Sequence, residues 1–244
     1  MKMRDLSGQI ALITGASSGI DAAAARAVHA EGMHVALAAR SHDKIQALEG
    51  ELGERAFAIP TDVGDEFQVR RVFEAVIERF GGLDLLFNNA GVGYNGLFQH
   101  GDTAEWKATI DANLWGVMYC SRAAIPLLRG RPGVMINTVS RIGGRRSIEG
   151  LAVYSATKFA VVGLHDALRK DLGPDGIRVS LIEPGAVYAK WGHNVPAQQM
   201  QARRDAIEAL HADDVAQALL YTFAQPAHVN ALELLIMPTR QISP

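Results

Sequence analysis

Short runs of apolar, β-favouring residues alternate along this chain with longer amphipathic stretches. Strand candidates begin near Ile10, His34, Ala56, Leu83, Gly133, Ile177 and Leu232. Between them the patterning predicts helices over residues 20–31, 42–52, 65–80, 103–128, 153–172 and 213–224. This alternation is the signature of repeated βαβ units wrapped around a parallel sheet. We therefore expect an α/β fold, a single-domain doubly wound parallel sheet (Rossmann-like) spanning residues 1–244. Residues 187–210 are less regular, with Trp191, Gly192, His193 and Pro196 close together, and read as a loop with a short helix. Beside the carboxyl edge of a sheet, such an insertion is placed to act as a substrate lid.

A length of 244 residues with 48% hydrophobic content suits one domain with a sizeable core. The balance of 24 Lys+Arg against 26 Asp+Glu gives a formal charge of −2, which points away from nucleic acid and anionic membranes as partners. The lone Cys120 excludes an intramolecular disulfide framework and suits a reducing compartment. No uninterrupted apolar run reaches membrane-spanning length, and strand-like sequence from Ile10 leaves no room for a signal peptide, so the expectation is a cytoplasmic protein. His29, His34, His42 and His100 are scattered without partners at metal-ligand spacing, and no metal site is expected.

Two local patterns carry chemistry. Tyr154 and Lys158 stand four apart in a helical stretch, which puts an ammonium beside a phenol and favours its ionised form. A free tyrosine titrates near pH ~10, so a held cation makes it a better proton donor and acceptor at neutrality. The second pattern is Thr14-Gly15-Ala16-Ser17-Ser18-Gly19-Ile20, directly after the first strand and before a helix. Glycines there let the backbone approach a pyrophosphate, while the helix N-terminus supplies free N–H groups and partial positive charge.

On these residues the chain resembles the short-chain dehydrogenase/reductase family from about Ile10 to its end. Thr14-Gly15-x-x-x-Gly19 is similar to the family's cofactor turn, Asn88-Asn89-Ala90-Gly91 to its strand-four motif, and Tyr154-x-x-x-Lys158 to its catalytic signature. Asn113 and Ser140 occupy places matching the rest of the family's Asn-Ser-Tyr-Lys tetrad, and Pro184-Gly185 matches the turn after strand six. The tail from Leu234 to Thr239 resembles an NADP-preferring subgroup that includes clavulanate-aldehyde-type reductases. The resemblance implies that Tyr154 donates a proton to a carbonyl oxygen receiving hydride, that Ser140 hydrogen-bonds this oxygen, and that Lys158 also binds the nicotinamide ribose. It further implies that Asn113 holds a water linking Lys158 to solvent. Gly15, Ser17, Ser18, Gly19, Ile20, Asn89, Ala90, Gly91, Pro184, Gly185 and Val187 would contact the cofactor. Asp62 and Val63 would bracket the adenine, with an N-cap role as the alternative for Asp62. A homo-oligomer, tetramer or dimer, is implied, with contacts through residues 103–128 and 153–172.

Cofactor choice turns on the end of the second strand. Ala39 stands where an acid would accept the ribose diol of NAD, and Arg40 with Ser41 offers donors for a 2′-phosphate, so NADP(H) is favoured.

The chain departs from the family pattern in three places. Asp21 replaces a third glycine. A carboxylate about 6 Å from a pyrophosphate charge would oppose binding by roughly 3 kcal/mol at an effective dielectric near 20. Alternatively it turns away and crowds the helix against the sheet. Ala189 replaces a cofactor-holding threonine, and the Ser140 to Tyr154 spacing is one residue longer than usual, with Ser147 as a competing hydroxyl. For a small carbonyl or alcohol substrate, Tyr94, Tyr188 and Trp191 are candidate apolar walls and Arg141 a candidate anion partner. Rival readings are a nucleotide-binding protein without turnover, and non-redox elimination or epimerisation on the same scaffold.

Overall fold

The computed structural model describes residues 3–140, 147, 149–188 and 197–242. Its strands are β1 (Ile10–Thr14), β2 (His34–Ala39), β3 (Ala56–Pro60), β4 (Leu85–Asn88), β5 (Met135–Val139), β6 (Arg178–Pro184) and β7 (Glu233–Ile236). All pair in parallel in the order β3-β2-β1-β4-β5-β6-β7. The apolar runs that mark β1 and β2 are apolar on both faces because both faces are covered. Ala11, Ile13, Val35 and Leu37 enter one core, packed with α1 (Gly19–Ala30), α2 (His42–Leu52) and α8 (Ala212–Phe223). Ile10, Leu12, Ala36 and Ala38 enter the other, packed with α3 (Glu66–Phe80) and α5 (Gly116–Leu128). Strand order reverses at β1, which pairs with β2 on one side and β4 on the other, opening a crevice at the carboxyl ends of these strands.

Helix ends follow local chemistry. Asp65 caps α3 by accepting from Phe67 N at 2.9 Å and Gln68 N at 3.3 Å, and Gly81 closes the helix at φ 81°. This removes the N-cap alternative for Asp62, whose Oδ1 instead accepts from Gly64 N at 3.0 Å within its own turn. Residues 103–128 are not one helix. They divide into α4 (Thr103–Ile110), a π-helical turn (Asp111–Trp115) and α5, because the Gly116 N–H reaches the Asp111 carbonyl, one residue beyond α spacing. Gly116 sits so close to Val63 that an added Cβ would lie 2.7 Å from its Cγ2. Within 187–210 a helix forms, α7 (Ala197–Ala206), and the base of this insertion is closed by backbone bonds Tyr188 N to Leu210 O at 2.7 Å and Leu210 N to Ala186 O at 3.0 Å. No helix among the described residues is long and apolar enough to cross a membrane.

Candidate active site

The turn from β1 into α1 is anchored before it is shaped. Gly15 N and Ala16 N donate to the Ala38 carbonyl at 2.7 and 3.2 Å, and Gly15 and Gly19 both adopt positive φ, 80° and 59°. Thr14 Oγ1 donates to Phe87 O at 3.3 Å and accepts from Asn89 N at 3.1 Å and Ala90 N at 3.2 Å, which binds the segment after β4 to the glycine turn. Ser17, Gly19 and Ile20 are half-buried and Ser18 is exposed, its hydroxyl making no cap bond to α1. At the end of β2, Arg40 and Ser41 are exposed; Arg40 has no ion-pair partner among the described residues and Ser41 makes no side-chain cap bond to α2.

The titratable pair lies on α6 (Ala152–Leu172), the long helix that packs over β6. Tyr154 and Lys158 are both buried, and Lys158 Nζ lies 5.6 Å from the centroid of the Tyr154 ring while donating to Val139 O at 2.9 Å. Ser140, completely buried at the end of β5, donates its hydroxyl to the Lys158 carbonyl at 3.1 Å. These two bonds cross between strand end and helix, and together they fix the height of α6 against β5. Ser147, by contrast, is exposed.

Asn113 sits in the π-helical turn, wholly buried, where its Oδ1 accepts from Val92 N at 2.8 Å and its Nδ2 donates to Val92 O at 2.9 Å and Thr157 Oγ1 at 3.2 Å. Thr157 in turn donates to the Tyr154 carbonyl at 2.7 Å. Both amide hydrogens of Asn113 are therefore given to protein acceptors. Gly91 belongs to the same contact, because a Cβ there would fall 2.8 Å from Asn113 Oδ1.

The glycine-containing turn at the start of α1 and the exposed Ser18, Arg40 and Ser41 beside it fit a dinucleotide laid across the crevice. Residues 9–200 match the family described as short chain dehydrogenase. The chain belongs to the short-chain dehydrogenase family. An uncharacterized oxidoreductase of Staphylococcus haemolyticus is 34% identical over 97% of this chain and 100% of its own length. A glycine betaine reductase of Emericella nidulans is 36% identical over 96% of this chain, which spans only 19% of that protein. Among solved structures, a 3-ketoacyl-(acyl-carrier-protein) reductase from Brucella melitensis complexed with NADH matches at TM-score 0.87 and 30% identity, covering 97% of this chain and all of its own. A short chain dehydrogenase from Burkholderia cenocepacia complexed with NADP matches at TM-score 0.86 and 32% identity, covering 96% and 98% of the two chains.

In this short-chain dehydrogenase Asp21 turns inward rather than out to solvent. It is 7% exposed, and its Oδ1 accepts from Asn89 Nδ2 at 2.7 Å. Burial raises the carboxyl from 3.8 to about 7, against the opposing effects of the Asn89 bond and the Lys158 charge. Val63 is buried at the crevice and Asp62 half-buried. Gly185 follows β6, its N–H donating to Ile236 O at 2.8 Å, and Val187 is bridged to Leu210.

The substrate residues are less well gathered. Tyr94 is half-buried in the segment after β4, where Gly96 N donates to Gly150 O at 2.9 Å just ahead of α6. Tyr188 turns toward α7 and α8: its hydroxyl donates to Asp205 Oδ1 at 2.9 Å and its ring stacks on His211 at 5.2 Å. It lines an open cavity of about 560 Å³ whose wall mixes Asp205, Glu208 and Asp214 with Leu210, Met237 and Pro238. Arg141, Ala189, Trp191 and His193 lie outside the described residues.

Thr14 and Thr157 are the positioning residues that sequence reasoning missed. Thr14 was within reach, since it opens the glycine-rich motif. Nothing in the local sequence marks Thr157.

Proposed function

We propose that this oxidoreductase is NADP(H)-dependent and interconverts a carbonyl and an alcohol on a small organic substrate, with Tyr154 as the acid/base. The observation that carries the reading is the buried Tyr154–Lys158 pair, held at the carboxyl edge of the sheet next to Ser140. The cofactor, when bound, supplies or accepts the hydride. In the reducing direction Tyr154 gives its proton to the substrate oxygen as negative charge develops there. Lys158 stabilises the resulting phenolate through its charge, and its bond to Val139 O keeps the ammonium in place. Ser140 reaches the same oxygen by rotating its hydroxyl away from the Lys158 carbonyl, exchanging one hydrogen bond for another. Asn113 acts as a positioning residue, tying α6 to the segment after β4.

NADP(H) is favoured by Arg40, which reads a 2′-phosphate with Ser41 beside it. Solved relatives bind NADH in one case and NADP in another, so the identity of the residues at this strand end is the support for the choice. Asp62 and Val63 would flank the adenine, and Asn89, Ala90, Gly91, Pro184, Gly185 and Val187 the ribose and nicotinamide. A homo-oligomer is supported by the exposed Trp115 and Phe159 on the two segments named for subunit contacts. The cytoplasmic assignment rests on the lone, buried Cys120, which suits a reducing compartment. The inward Asp21 carboxyl favours a second reading, a nucleotide-binding protein with little turnover. A panel of small aldehydes, ketones and hydroxy acids, with NADPH and NADH in parallel, decides between them when nicotinamide absorbance and substrate consumption are followed together. Cofactor oxidation matched by alcohol formation supports the first reading; binding without turnover supports the second.

A further inference from the structure

We infer that Asp21 makes dinucleotide binding proton-linked: its carboxyl, wedged between the Gly15 turn and the Asn89 amide where the cofactor phosphates would meet α1, takes up a proton as the cofactor binds. The inference rests on the cofactor reading above and deepens it.

The geometry leaves the carboxyl little choice of surroundings. Asp21 Oδ1 accepts from Asn89 Nδ2 at 2.7 Å, and Oδ2 lies 2.7 Å from where a Cβ on Gly15 would stand, so the group fills the space between the turn and the segment after β4. Asn89 supplies its one side-chain donor among the described residues. From α6, Lys158 acts through space and favours the carboxylate. Arg26 and His29 lie further along α1 itself; Arg26 is engaged by Glu51 of α2 and Asp213 of α8, and His29 feels Arg55 and His34. The adjoining ends of β1 and β2 bring Thr14, Ala38 and Ala39, none of them charged.

One cation at a distance does not offset the burial. The carboxyl is raised to about 7, so the free protein holds it partly protonated at neutral pH. An incoming pyrophosphate adds negative charge at the same helix start and removes further water, and both effects favour the neutral acid. Hydrogen bonding points the same way. A carboxylate only accepts, whereas the protonated group keeps its acceptor toward Asn89 and gains an O–H to donate to a phosphate oxygen.

The sign follows from linkage. Protons are taken up on binding wherever the free protein has Asp21 ionised, so affinity falls as pH rises above about 7. For a full shift, uptake is roughly half a proton at pH 7 and about nine-tenths at pH 8, with affinity falling about fivefold between them.

The test is calorimetric titration of the full chain with NADPH at pH 7 and 8, each in two buffers of different ionisation enthalpy. Asp21→Asn is titrated alongside, since its amide oxygen still accepts from Asn89 and it does not ionise. The 2′-phosphate of NADPH titrates with both proteins, so the parent-minus-variant difference isolates Asp21. We expect that difference to be about half a proton at pH 7, approaching one at pH 8, with the parent's affinity falling about fivefold relative to the variant. Equal proton uptake by two binding-competent proteins overturns the inference and leaves the cofactor reading standing. Failure of the folded parent to bind NADPH or NADH overturns both. If Asp21→Asn does not fold, Asp21→Gly replaces it with the same expected difference.

Discussion

Replacing Asn113 with alanine tests whether the π-helical turn holds the candidate site together. The change removes three hydrogen bonds at a wholly buried position: two to the main chain of Val92 and one to Thr157 Oγ1. Each bond contributes about 1 kcal/mol net, and the Val92 N–H and C=O left buried without this partner add to the loss, so a total of at least roughly 3 kcal/mol is expected. For a chain of this size each kcal/mol shifts the melting temperature by about 2–4 °C, which gives a fall of at least roughly 6–12 °C. Thr157→Val is the comparator, because it removes the weaker 3.2 Å contact and the bond to the Tyr154 carbonyl while leaving both Val92 bonds in place. The double variant should lose less than the sum, because one bond is shared. Thermal unfolding followed by circular dichroism reads all three proteins. Turnover, measured below the melting range, should drop in both single variants because Thr157 lies between Tyr154 and Lys158 on α6. An Asn113→Ala protein melting within about 1 °C of the parent would refute the reasoning, since at most a few tenths of a kcal/mol would then be involved.

Arg40→Asp should weaken NADPH binding and narrow or reverse the preference over NADH, because a phosphate-binding cation becomes a repelling carboxylate; titration of both cofactors reads it, and an unchanged affinity ratio counts against the assignment. His165, buried on α6 with no partner for Nε2 among the described residues, is held down from 6.5 to about 4 mainly by desolvation. The unfolded chain binds the proton first, so this residue's contribution is present above pH 6.5 and is lost as pH falls toward 4. Denaturant unfolding of His165→Gln should show the variant gaining on the parent across that window, and parallel pH profiles would disprove it.

The parts of the fold legible in the sequence are those set by neighbouring residues. Helix α2 spans residues 42–52 as its pattern predicts, between Ser41 and a Gly53 at φ 79°. Strands β4 and β5 begin two residues later than the apolar runs suggest, because Leu83 and Val134 are buried in the same core without entering the ladder. The Tyr154–Lys158 pairing is a four-residue relation and was visible directly. Distant contacts were not. The break at Asp111–Trp115 goes with the approach of Gly116 to Val63 from another part of the chain, and the inward turn of Asp21 depends on Asn89, 68 residues away. The bonds from Ser140 and Lys158 across to each other's backbone neighbourhoods likewise arise only once α6 docks on β5.

The central claim is that Tyr154 moves the proton in a nicotinamide-dependent reaction, and Tyr154→Phe tests it most directly. This variant removes one hydroxyl and keeps the ring that Lys158 faces. Measured on a substrate identified with the parent, its turnover should fall by about 10²- to 10⁴-fold, the usual worth of positioned acid catalysis, while its melting temperature and NADPH affinity stay near the parent's. A correctly folded Tyr154→Phe protein that binds NADPH and retains near-parent turnover would contradict the account.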